Sequence, residues 1–94
     1  MFYYVYITTN TTKSVLYTGI TNNLKVRMRQ HRQNKGEWKY FAGRYYCHKL
    51  VYYEIYEKAS DAIAREKFIK NLSREKKIQV IKSKNPTMRF YCIW

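Results

Sequence analysis

Residues 2–24 read FYYVYITTNTTKSVLYTGITNNL, and the two ends of this stretch decide the fold. Phe2 to Thr8 is aromatic and β-branched, the composition of a strand. Alternation puts Tyr4 and Tyr6 on one face and Tyr3, Val5 and Ile7 on the other. Thr9 to Lys13 is polar and turn-like. Val15 to Ile20 is a second strand, and the short connection makes the pair a hairpin. Gly19, near the end of that strand, permits a bend or a close backbone approach.

Beyond the hairpin, Asn22 or Asn23 offers an N-cap to a helix from about Leu24 to Gln33, with Leu24 and Met28 as its apolar stripe. Asn34 and Gly36 end it. Lys35 to His48 is a long loop in which Lys39, Arg44 and His48 alternate with Trp38, Tyr40, Phe41, Tyr45 and Tyr46, and Lys49 follows. Leu50 to Tyr56 is a third strand. Ser60 caps a second helix running to about Leu72, and Ser73 caps a third through about Lys82. Asn85-Pro86 breaks the pattern, and Met88 to Trp94 packs back as a tail. The order β-β-α-β-α-α predicts an α+β fold. A small three-stranded mixed sheet is flanked by helices, and its third strand crosses over the first helix to join it.

The 94 residues suit one small domain, 1–94, with no room for a second core. Eleven tyrosines inflate the apolar count, so the aliphatic core is thin and aromatic area supplies much of the burial. Nineteen Lys and Arg against six acidic residues give a formal net charge of +13, which favours a polyanionic partner. A membrane role is disfavoured, because no apolar stretch approaches the ~20 residues of a spanning helix. Met1 to Tyr6 lacks the basic start and long apolar run of a signal peptide. Cys47 and Cys92 form no Cys-x-x-Cys pair, which argues against zinc; they read as reduced, partly buried thiols of a cytoplasmic protein.

On the second helix, Ala59, Ala62, Ile63 and Ile69 cluster on one side, and Glu66 falls among them, whereas Asp61, Arg65 and Lys67 lie elsewhere. Two readings of Glu66 stand: a surface pair with Lys70 at i, i+4 spacing, or a carboxylate aimed at the sheet that holds a divalent metal. Arg27 and His31 are one turn apart and share a helix face. They make either a solvated basic helix or a phosphate clamp, with Arg27 gripping the phosphate bidentately and His31 orienting or protonating a neighbouring oxygen. Tyr6 and Tyr17 come from adjacent strands. They are either core tyrosines or phenols that activate water beside a metal.

In this order the motifs resemble those of the GIY-YIG nuclease superfamily, specifically its small stand-alone bacterial members. Tyr4-Val5-Tyr6 stands where the family has Gly-Ile-Tyr, and Tyr17-Thr18-Gly19 where it has Tyr-Ile-Gly. Thr21-Asn22-Asn23-Leu24 and Arg27 match the turn into the arginine-bearing helix, and His31 falls where members carry His or Tyr. Lys49 to Glu54 and Ala62 to Lys70 resemble the third strand and the glutamate helix, and Asn85-Pro86 the last motif. Tyr4 and Thr18 depart from the triplets without removing chemistry, and Ile20 stands where some relatives have a lysine.

The resemblance implies an endonuclease that hydrolyses DNA, whether duplex, branched or single-stranded, with Mg2+ or Mn2+. It implies Glu66 as the sole protein metal ligand and Tyr17 as the general base or the residue that orients water. Tyr6 assists, Arg27 stabilises developing phosphorane charge, and His31 relays a proton or positions the phosphate. Asn85 holds backbone geometry or a phosphate. Gly19, Lys35, Lys39, Arg44 and Lys49 are the remaining expected nucleic-acid contacts, since bases stack on aromatic rings and phosphates meet cations. The rival reading is a nucleic-acid-binding module that keeps the fold without turnover.

Overall fold

The computed structural model describes residues 1–33 and 47–92. Its elements are β1 (Tyr3–Thr9), β2 (Leu16–Thr21), α1 (Leu24–Gln33), β3 (Lys49–Tyr56), α2 (Ala59–Lys70) and α3 (Arg74–Lys84). The expected α+β order β-β-α-β-α-α is the observed one.

The sheet is ordered β2-β1-β3, and both pairings of β1 are antiparallel. Tyr6 faces Gly19 on one side and Tyr53 on the other. The expectation of a mixed sheet is therefore corrected. The crossover through α1 returns β3 in the same direction as β2, but it lands on the far side of β1, so no parallel ladder forms. The register on β3 shifts between Ile7 and Thr8, where Val51 has no partner residue.

This register sorts side chains onto two faces. On one, Tyr6, Leu24, Met28 and Leu50 are buried, with Tyr4, Tyr17, Tyr53 and Tyr91 packed around them. On the other, Val5, Ile7, Val51, Tyr52, Ala62, Ile69, Ile81 and Met88 form the larger cluster beneath α2 and α3. Each fully buried aliphatic there contributes about 1.5–3 kcal/mol of transfer free energy. Most of the stabilisation therefore lies on the α2–α3 face. The α1 face is built largely from tyrosines, among them Tyr4, Tyr6, Tyr17, Tyr53 and Tyr91.

Local signals set the ends. Asn23 Oδ1 accepts the Val26 N–H at 3.1 Å, so Asn23 is the N-cap of α1. Ser73 Oγ accepts the Lys76 N–H at 3.3 Å at the start of α3. Ser60 does not cap α2: the N-cap is Lys58, without a side-chain bond, and Asp61 in the first turn faces the positive end of the helix dipole. In the hairpin loop, Asn10 Oδ1 accepts from the N–H groups of Ser14 and Val15, at 2.9 and 3.2 Å. The tail packs back as expected, the Tyr91 N–H donating to the Leu50 carbonyl at 2.8 Å. Cys47 is buried, Cys92 is exposed, and neither is in a disulfide among the described residues. No helix among the described residues is long and apolar enough to cross a membrane.

Candidate active site

Tyr6 lies at the centre of the site. β1 turns it toward α1, where its ring is fully buried among Leu24, Met28 and Leu50. Gly19 stands directly opposite, and a Cβ there would fall 2.4 Å from Tyr6 Oη. The glycine is thus required by the phenol that occupies its side-chain space. Expected as a nucleic-acid contact, Gly19 is buried beneath Tyr6.

α1 supplies the partners of that phenol. The Arg27 Nε–H donates to Tyr6 Oη at 3.1 Å, and His31 Nε2 lies 2.9 Å from the same oxygen. A guanidinium can only donate. Tyr6 Oη accepts from Arg27 and uses its own proton when its hydroxyl donates to His31 Nε2, giving a directed chain Arg27→Tyr6→His31. Burial pushes the Tyr6 phenol up to about 12; the charges of Tyr17 and Glu66 add to this, while Arg27 works against it. His31 is 5 % exposed. Burial, then the charges of Arg27 and His48, bring its imidazole down to about 4. Both effects favour the uncharged imidazole at neutral pH.

Tyr17 packs its ring 6.4 Å from that of Tyr6 and 5.5 Å from that of His31. It is half-buried, whereas Tyr6 is sealed. Burial disfavours the Arg27 charge, but its bonds to the phenols of Tyr6 and Tyr17 hold it above the ordinary value. Arg27 also donates to Gln30 Oε1 at 3.1 Å. Tyr6, Tyr17, Arg27 and His31 are thus one contiguous group.

Glu66 comes from α2, which packs mainly beneath the opposite face of the sheet. Its side chain is 13 % exposed, and its Oε2 is 2.9 Å from Lys70 Nζ. The i, i+4 pair forms, yet the carboxylate is largely covered and its charge is felt at Tyr6. Among the described residues no group of three His, Cys, Asp or Glu converges on one point.

Asn85, expected to hold backbone geometry or a phosphate, is buried and bonded to backbone. It is 3 % exposed, and its amide donates to the Val51 and Arg89 carbonyls at 2.8 and 2.9 Å while accepting the Arg89 N–H at 3.2 Å. Those bonds consume the side chain in fastening the tail to β3, the backbone role among its two expected roles. Lys49 lies over the Phe90 ring at 5.6 Å. Lys35, Lys39 and Arg44 lie outside the described residues.

Sequence reasoning missed one cluster. Glu54, 8 % exposed, accepts from the Tyr52 and Tyr56 hydroxyls and from Arg65, whose Nε and Nη2 are 3.0 Å from its Oε1 and Oε2. Burial opposes its charge, but Arg65 and the two phenols hold Glu54 below the ordinary carboxylate value. Arg65 therefore faces the sheet, and Ile63, expected there, is 44 % exposed. The available signal was the alternation Tyr52, Glu54, Tyr56. It puts a carboxylate in the inward row, where a buried charge requires a cation.

Comparison with known proteins gives the family. The model of the GIY-YIG catalytic domain matches residues 2–79. A UPF0213 protein of Clostridium perfringens is 46 % identical over 82 residues, covering 87 % of this chain and 85 % of that one. A UPF0213 protein of Haloquadratum walsbyi is 40 % identical over 79 residues, covering 84 % and 85 % of the two chains. The solution NMR structure of a UPF0213 protein from Bacillus halodurans superposes with a TM-score of 0.58 at 31 % identity, covering 93 % of this chain and 89 % of that one. The chain belongs to the GIY-YIG family of catalytic domains, alongside the small UPF0213 proteins.

Proposed function

We propose that this chain is an endonuclease that hydrolyses DNA phosphodiester bonds by attack of water, with one divalent metal ion. The observation that carries the reading is the chain Arg27→Tyr6→His31 with the half-exposed Tyr17 packed against it. Arg27 uses Nε to hold Tyr6 and Nη1 to hold Gln30, and this partly exposed guanidinium is suited to a phosphate gaining charge. Tyr17, the phenol with an accessible edge, orients water and takes its proton. Tyr6 stands behind it, fixed between the guanidinium and a neutral imidazole that can accept a proton.

The donor set fits Mg2+ or Mn2+: a single hard carboxylate, Glu66, with water and substrate phosphate oxygens to complete the shell. The ion supplies positive charge to the phosphate when bound. Lys70 Nζ lies 2.9 Å from Glu66 Oε2.

The test is nicking of supercoiled plasmid and cleavage of branched and single-stranded oligonucleotides with Mg2+, Mn2+ or chelator. Wild type should cut with metal, Glu66→Gln should not, and Tyr17→Phe should slow single-turnover cleavage about 10²–10⁴-fold. Cleavage in chelator, or full activity of Glu66→Gln, refutes the metal role. Tight binding with no cleavage under any condition favours the binding module.

A further inference from the structure

The sheet face that carries Tyr6 holds three more tyrosines that this chemistry does not use. Tyr4 precedes Tyr6 on β1, Tyr53 pairs with Tyr6 from β3, and Tyr91 comes from the tail. Their rings form a ladder, with Tyr4 and Tyr53 centroids 6.4 Å apart at 60° and Tyr53 and Tyr91 6.0 Å apart at 79°. All three are half-buried. Tyr52 and Tyr56, on the other face, commit their hydroxyls to Glu54, but the ladder hydroxyls make no hydrogen bond among the described residues. Their rings pack, while their polar tips and outer edges remain available.

Two hollows meet at this ladder. One, of about 830 Å3, is lined by Tyr53, Tyr91, Phe90, Lys84 and Arg89. The other, of about 480 Å3, is lined by Tyr4, Tyr53, Asn22 and Lys25. Tyr53 is a wall of both, as is Ile55, which is 54 % exposed on the free edge of the sheet. Among the described residues, the one acid in either wall is Glu54, already held by Arg65, Tyr52 and Tyr56, and every other charged side chain lining the groove is a cation.

We infer that this groove is a binding site for an unpaired nucleic-acid strand, with bases against Tyr4, Tyr53 and Tyr91 and phosphates against Lys25, Lys84 and Arg89. The inference rests on the reading of the chain as one that acts on nucleic acid, and it assigns the path of the strand beside the reacting phosphate. Aromatic faces accept any base, so the site carries little sequence preference. Bases already stacked within a duplex cannot reach the rings, so the groove discriminates by strandedness. Its position suits a strand leaving the catalytic group. Tyr4 shares the strand and face of Tyr6, and Lys25 lies in the first turn of the helix that carries Arg27.

The test is fluorescence anisotropy without metal, so that cleavage cannot interfere. The probes are oligothymidine and oligouridine of about twelve nucleotides and a hairpin duplex of similar length. Tyr53→Leu keeps apolar area but removes the ring. It should weaken single-strand binding about 5- to 50-fold and change duplex binding less than about twofold. The two sugar arms decide whether DNA or RNA is the occupant. Equal losses on single strand and duplex, or no loss on either, overturn the proposal. Should Tyr53→Leu fold poorly, the exposed pair Lys84→Gln/Arg89→Gln carries the test. It should reduce the log–log salt slope for single strands by about 1.4, and an unchanged slope overturns the site. Wild type that binds single strands through Tyr53 but cuts nothing refutes only the endonuclease reading. Wild type that cuts, with Tyr53→Leu binding normally, refutes only the groove.

Discussion

Tyr6 and Gly19 face each other across the β1–β2 ladder, and the phenol occupies the space a side chain at Gly19 would need. A Cβ there would lie 2.4 Å from Tyr6 Oη and 2.5 Å from Cζ. The ring is fully buried and tied to Arg27 and His31, so it has little freedom to retreat. Gly19→Ala should therefore destabilise the fold by about 1–3 kcal/mol and break the Tyr6–His31 contact. Urea unfolding measures the first effect and imidazole NMR shifts the second. Unchanged stability with an unchanged His31 spectrum would mean the ring shifts freely.

His31 should remain neutral in the folded protein down to about pH 4. The ordinary imidazole value is 6.5, so the unfolded chain takes up this proton first as pH falls. The neutral, buried His31 thus contributes stability fully above about pH 6.5, and that contribution is lost progressively toward pH 4. With a discount for partial solvent access, the loss is roughly 2 kcal/mol. Urea midpoints across this range should slope less in His31→Gln than in wild type. Equal slopes would place the titration elsewhere.

Arg27→Lys keeps a positive charge but cannot offer both an Nε–H to Tyr6 and a planar fork to a phosphate. Cleavage should fall at least ~10-fold, with a smaller loss of DNA affinity. Matching losses would make Arg27 one more contact in a basic surface.

Glu54→Gln should cost about 2–3 kcal/mol, because it leaves the Arg65 guanidinium against the sheet without its carboxylate. A thermal melt of Glu54→Gln, Arg65→Gln and the double variant separates the pair from its surroundings. Strict additivity of the two single effects would show that the contact carries no coupling energy.

The sequence by itself determined the element order and most boundaries. The Tyr4/Tyr6 against Tyr3/Val5/Ile7 alternation, a cap at Asn22 or Asn23, the Ser73 cap and the break at Asn85-Pro86 are local signals, set by neighbours within a few residues. The motif order also named Tyr6, Tyr17, Arg27 and His31 as a set, and these four are contiguous in space. Tertiary structure alone decided that β3 lands beyond β1 and makes the sheet antiparallel throughout. It alone decided that α2 turns Arg65 rather than Ile63 toward the sheet, and that Asn85 spends its amide on Val51 and Arg89. Only there does Tyr6 gain a direction, accepting from Arg27 and giving to His31. Periodicity states which face a residue occupies. Which groups meet across 25 or 34 positions of chain depends on how elements cross and on which buried charges find partners there.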